Sequence, residues 1–145
     1  MAYTTRYKPE NPKKYKGDPN NIVCRSLWER KFAKYADTNE KVLEWASEEI
    51  SIKYFDPTTK KFRRYFPDFY LKYIDKEGKI RKVIIEIKPF RETQEPIRKQ
   101  GKSNKTLIHE TITYVKNQAK WKAAEEFCRD NLFEFRVMTE KELGI

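Results

Sequence analysis

The sequence predicts an α/β domain with elements in the order α-β-β-β-α-β and a central mixed sheet flanked by helices. Three observations carry the prediction. Two segments place aromatic and small apolar residues at helical spacing, one near each end of the chain. Between and after them, short runs alternate apolar and polar residues as half-buried strands do. A glycine-containing loop, "DKEGK", joins two of these runs as a hairpin.

Residues 1–21 contain three prolines, one glycine and many Lys and Asn without either period, so they read as an extended basic arm ahead of a single domain over 22–145. Ser26-Leu27-Trp28-Glu29 has the S-x-x-E form of a capping box, and Trp28, Phe32, Tyr35 and Ala36 follow at helical spacing, predicting a helix from Leu27 to Ala36. In "EEISIKY", Ile50, Ile52 and Tyr54 alternate with polar residues as a first strand, and "DPTTKK" turns the chain. A second strand is expected over Arg63–Ile74 and a third over Ile80–Lys88, ended by Pro89. Residues 89–107 are polar and basic and read as a loop. A second helix is expected over Glu110–Cys128, then a strand through Phe133, Phe135 and Val137, and a short helix capped by Thr139-Glu140-Lys141-Glu142.

At 145 residues the chain is long enough to bury one core, and 14% aromatic content supplies the material despite 37% charged residues. Thirty-two Lys and Arg against 22 Asp and Glu give a net charge of +10, which points to a polyanionic partner, nucleic acid first. Cys24 and Cys128 have no metal-ligand spacing and are expected as reduced thiols; His109, alone, forms no zinc or histidine-based site. No signal peptide and no membrane-length apolar run is read, so no membrane partner is expected.

The chemistry concentrates in "VIIEIKP". Side chains alternate across a strand, so Glu86 and Lys88 share a face. In a hairpin centred on Glu77, Asp68 falls opposite Glu86. Opposed residues have Cβ atoms roughly 4.5–5.5 Å apart, where like charges destabilise a sheet. A raised carboxyl pKa or a bound cation relieves that repulsion, and an oxygen-seeking divalent ion such as Mg²⁺ does so while also engaging phosphate. Pro67 cannot donate a ladder hydrogen bond, so the sheet should be bulged, splayed or at an edge where Asp68 sits.

"FPDF" followed by "IEIK" resembles the P-D…(D/E)-x-K signature of the restriction-endonuclease-like nucleases. More widely, "NPKKYKGDPNNIVCRSLWERKF", "SEEISIKY", "RYFPDF", "IEIKP" and the "NQAKW" helix resemble the head-completion nucleases of contractile-tailed bacteriophages, over nearly the whole chain. The transposon end-cleaving endonucleases share the "PDF" element more distantly. The resemblance implies a metal-dependent DNA endonuclease, using Mg²⁺ with Mn²⁺ able to substitute. It would process packaged DNA before tail attachment, in the host cytoplasm during assembly and then in the virion, with portal or neck proteins as partners.

By that resemblance, Asp68, Glu86 and the backbone carbonyl of Ile87 are metal ligands and Lys88 is catalytic. Glu29 joins the site as a catalytic and metal-ligating group, or only caps its helix. Lys120 either faces the site or snorkels to solvent. Glu48 and Glu49 open the first strand and are left outside the catalytic set. The basic arm (Lys8, Lys13, Lys14, Lys16), Arg25 and the loop residues Arg91, Arg98, Lys99, Lys102 and Lys105 are the expected contacts to double-stranded DNA. Two rival readings stay open: a catalytically silent DNA-binding plug of the same fold, and a branched-DNA resolvase or repair nuclease.

Overall fold

The computed structural model describes residues 4–144. In chain order these form β1 (Thr5–Arg6), β2 (Val23–Cys24), α1 (Leu27–Thr38), β3 (Val42–Ser47), β4 (Ile52–Asp56), β5 (Lys61–Tyr65), β6 (Phe69–Ile74), β7 (Ile80–Ile87), α2 (Asn104–Asn131), β8 (Glu134–Met138) and α3 (Glu140–Leu143). The central sheet has the order β3-β6-β7-β8, antiparallel except for the β7–β8 pair. Leaving aside the short pairs, the sheet and its helices follow α1-β3-β6-β7-α2-β8. That is the expected α-β-β-β-α-β order, but with a different first strand.

That first strand is β3, not the run from Ile50 to Tyr54. Val42, Trp45, Ala46 and Ser47 are all buried, so β3 is covered on both faces and shows no alternation to read. The alternating run became β4 instead. It pairs only with β5, as a separate hairpin whose Ile52, Tyr54 and Tyr65 pack on Trp121 and Ala124 of α2. The long second strand predicted over Arg63–Ile74 is accordingly two strands, broken at Phe66-Pro67-Asp68. Pro67 is the physical reason, since it has no N–H to continue a ladder.

The β6–β7 hairpin holds the predicted register, from Ile74 opposite Ile80 to Phe69 opposite Ile85. Phe69, Leu71, Val83, Ile85 and Ile87 pack with Phe32, Ala33 and Ala36 of α1. Alternation then turns Glu86 to the other face, toward α2. The α2 helix begins at Asn104, six residues before the expected Glu110. Ser103 caps it by accepting the Thr106 N–H at 3.1 Å. Its first turns are exposed, Ile108 and Ile112 included, so no burial period marks them.

The N-terminal segment packs on the domain over its described part (Met1–Tyr3 of the expected arm lie outside the described residues). Tyr7 and Tyr15 are buried in the core, with the Tyr15 ring edge-on to Trp45 at 4.8 Å. The buried Asp37 carboxylate accepts from Tyr7 Oη (2.7 Å), Glu10 N (2.7 Å) and Asn11 N (2.9 Å). Lys14 Nζ donates to the Asp37 and Asn39 carbonyls at 2.8 and 2.9 Å, satisfying the open C-terminal end of α1.

Candidate active site

The break between β5 and β6 places Asp68 one residue before the β6 ladder. Its backbone is tied on one side, where the Asp68 carbonyl accepts the Glu48 N–H at 3.1 Å. Its side chain is tied on the other, where Oδ2 accepts the Ile87 N–H at 2.7 Å. Asp68 therefore bridges β3's exit and β7's end, beside Glu86. Burial, then the Glu86 carboxylate, push the Asp68 carboxyl well above the usual range, against the Ile87 hydrogen bond. Burial likewise raises Glu86, which the neighbouring Lys88 ammonium opposes. Both neighbouring carboxyls are thus shifted toward the protonated form.

Glu29 reaches the same place from α1. Carboxylate oxygens of Glu29, Glu48 and Asp68 all lie within 4.8 Å of one another. The Glu29 backbone N–H caps the helix on Ser26 Oγ at 3.1 Å, and one oxygen of its side chain is left over: Oε1 is buried with no hydrogen-bond partner among the described residues. Oε2 accepts from Ser26 Oγ at 3.3 Å. Burial and then Asp68 push the Glu29 carboxyl up to about 7. Glu48, left out of the catalytic set by sequence reading, is part of the cluster. It holds a left-handed backbone, φ +54°, unusual for a residue with a Cβ, and Arg25 Nε pairs with its Oε1 at 3.2 Å. No signal in "SEEIS" separates Glu48 from Glu49; only the close of β3 against Asp68 does.

Lys120 faces inward from α2. Its ammonium sits 5.9 Å over the Tyr54 ring and 5.8 Å over the Tyr65 ring. Burial, then Lys88, lower its pKa. The Tyr65 hydroxyl is buried with no hydrogen-bond partner among the described residues, and burial and the nearby Glu86 raise its pKa. Lys88 is half-buried at the end of β7, where its N–H continues the pairing to Met138 O. An open groove of about 470 Å³ lined by Arg25, Ser26, Trp28, Glu29, Ile87, Lys88 and Pro89 runs beside the acids.

The basic residues divide. Lys8, Lys13, Lys16, Arg91, Arg98, Lys99 and Lys105 are exposed. Lys14 and Lys102 are committed inside the chain, Lys14 to the end of α1 and Lys102 to Glu110 (2.8 Å) and the Ile97 carbonyl (2.9 Å).

The donor set fits a hard divalent cation. Its members are carboxylate oxygens, too many to be ionised together without a counter-charge, with one oxygen buried and unpartnered. Asp68 sits where the chain leaves one pairing and enters another, between the end of β5 and the start of β6.

Residues 39–140 match the family model described as TnsA-like endonuclease N terminal. The chain is also 38% identical over 143 residues to the head completion nuclease of Enterobacteria phage T4, covering 97% of this chain and 93% of that protein. Glu48, Asp68, Glu86, Lys88 and Lys120 lie inside the family match; Glu29 lies before it, within α1. On these grounds, and on its central mixed sheet, the chain belongs to the TnsA-like endonucleases of restriction-endonuclease-like fold.

Proposed function

We propose that this chain is a divalent-metal-dependent DNA endonuclease that processes packaged DNA during phage head completion. The observation that carries the reading is the meeting of Glu29, Glu48 and Asp68, next to Glu86 and Lys88, at the splayed end of the sheet. The head-completion role follows the likeness to the phage T4 head completion nuclease.

Asp68, Glu86, Glu29 and the Ile87 carbonyl would hold the ion, and Glu48 adds a further carboxylate. The bound ion would acidify a water and neutralise phosphate charge, as Mg²⁺ and Mn²⁺ do in such oxygen sites. Lys88 shares the face of Glu86; its ammonium orients the attacking water and stabilises charge building on the phosphate oxygens. Lys120, a positioning residue behind Lys88, holds a second positive charge over Tyr54 and Tyr65 and favours an anionic transition state. Attack in line with the leaving 3′ oxygen leaves a 5′ phosphate. Arg25 and the exposed lysines of the N-terminal segment and the loop after β7 supply sequence-independent backbone contacts.

The test is cleavage of supercoiled and linear double-stranded DNA in Mg²⁺ or Mn²⁺, with Asp68→Ala and Lys88→Ala alongside. Nicking or linearisation by wild type and by neither variant is expected. Binding without cutting by wild type in both metals would leave a DNA-binding plug of the same fold.

A further inference from the structure

The β4–β5 hairpin carries a face that the fold leaves uncovered. Opposed residues share a face, and Phe55 opposes Phe62 while Lys53 opposes Arg64. Ile52, Tyr54 and Tyr65 turn the other way, onto α2. Phe55 is 46% exposed and Phe62 65%, with their rings edge-to-face at 5.2 Å. Lys53 Nζ lies 4.7 Å over the Phe62 ring. Lys60 stands exposed at the turn. Phe66, 50% exposed, continues the aromatic line toward the acids.

Charge decides what such a face fits. Asp56 is the acid of this hairpin, and it is fully buried, held by Thr58 N–H (2.9 Å), Thr58 Oγ1 (2.6 Å) and Arg63 Nε (3.2 Å). Lys53, Lys60 and Arg64 form no ion pair among the described residues. Protein-binding patches are depleted in lysine around their aromatic residues. Exposed rings ringed by cations, with no acid among them, fit a polyanion.

Position decides which polyanion. β5 runs directly into Phe66-Pro67-Asp68, so Arg64 lies at most about 14 Å from Asp68 along the chain. That is roughly four base pairs at about 3.4 Å each. A duplex with one phosphate at the acids and its axis toward the hairpin is long enough to reach this face. Packing on Trp121 and Ala124 holds the hairpin rigidly from behind.

We propose that this outer face is a duplex-DNA contact surface, with Lys53, Lys60 and Arg64 on backbone phosphates beside the cut and Phe55 and Phe62 pressed into the minor groove between them. The inference rests on the nuclease reading above, whose substrate it positions.

The test measures anisotropy of a short labelled duplex against salt, in full-length Asp68→Asn protein with Mg²⁺, with and without hairpin substitutions. Combining Lys53→Ala, Lys60→Ala and Arg64→Ala should make the dependence of log Kd on log salt shallower by about 2.7, at about 0.9 per phosphate. Phe55→Ala with Phe62→Ala should weaken binding about tenfold at unchanged slope. If the triple variant melts early, Lys53→Gln alone should lose about 0.9. Unchanged affinity and slope in variants that melt like the parent would overturn the proposal. Cleavage of the same duplex with Asp68 intact separates the two readings. Cutting with no effect of the hairpin on binding sinks the hairpin surface alone. Lost slope without any cutting sinks the nuclease and leaves a DNA-binding face.

Discussion

Glu29 does two things with different atoms. Its backbone N–H completes the α1 cap on Ser26, while its carboxylate stands with Glu48 and Asp68. The two can be separated by substitution. Ser26→Ala removes the cap acceptor and should cost about 1 kcal/mol, lowering Tm by about 2–4 °C, with cleavage retained. Glu29→Gln keeps the cap and should leave Tm in EDTA unchanged or higher, while cleavage falls about 10–100-fold. A Glu29→Gln protein that cuts normally but melts early would return Glu29 to a purely structural role. Asp68 permits a sharper contrast, because it is both the central acid and a source of strain. Asp68→Asn removes a buried like charge next to Glu86, so at pH 8 in EDTA Tm should rise by about 2–4 °C while cleavage drops at least about 10²-fold. Melting and turnover of one preparation check both halves; a fall in both would mean the carboxylate is mainly structural, through its hydrogen bond from Ile87.

At the scale of elements, β6–β7 was legible and β3 was not. A tight hairpin fixes register locally, so the pairing from Ile74–Ile80 to Phe69–Ile85, which leads up to Asp68 and Glu86, followed from one loop and an alternating pattern. β3 is buried on both faces, and its pairing to β6 is set by tertiary contact, so "VLEWAS" gave no alternation. Glu48 was lost with it, because its place depends on where β3 ends. The attachment of the N-terminal segment was not legible for a related reason. Its basic, proline-containing composition shows no period, yet two tyrosines and Asp37 fasten it to the domain. Asp37→Ala should strand the Tyr7 hydroxyl and two backbone N–H groups, costing about 3 kcal/mol and Tm by roughly 6–12 °C. Limited proteolysis should then cut first within residues 4–21. Unchanged stability and protease resistance would show that the buried tyrosines alone hold the segment.

At the scale of the whole molecule, the acid cluster sets how stability answers to pH. Burial raises the carboxyls of Glu29, Asp68 and Glu86 above their unfolded values of 4.5, 3.8 and 4.5. The folded chain therefore holds these protons more tightly. The cluster's contribution is fully present below about pH 4 and is lost as pH rises through the folded values, about 7 for Glu29. Burial alone would raise both Asp56 and Asp37, but the Thr58 hydrogen bonds hold Asp56 at about 2 and the donors from Tyr7, Glu10 and Asn11 lower Asp37; their stabilisation is lost only in stronger acid. Between pH 5 and 8 in EDTA, Tm should accordingly fall as pH rises. A divalent cation competes with those protons, so the Tm increment from Mn²⁺ should grow over the same range. Thermal melts with and without Mn²⁺ test this, and an increment flat in pH would argue against the carboxylates as ligands.

By itself the sequence determined the local chemistry: the α1 cap, the β6–β7 register, the face shared by Glu86 and Lys88, and the missing ladder donor at Pro67. Each depends on neighbours close along the chain or across one short loop. The tertiary structure decided which strand begins the sheet, that Glu48 joins Glu29 and Asp68, that Lys14 closes a helix, and that a cationic aromatic hairpin stands beside the acids. Those depend on burial on both faces and on contacts distant in sequence, which a periodicity in one segment cannot encode.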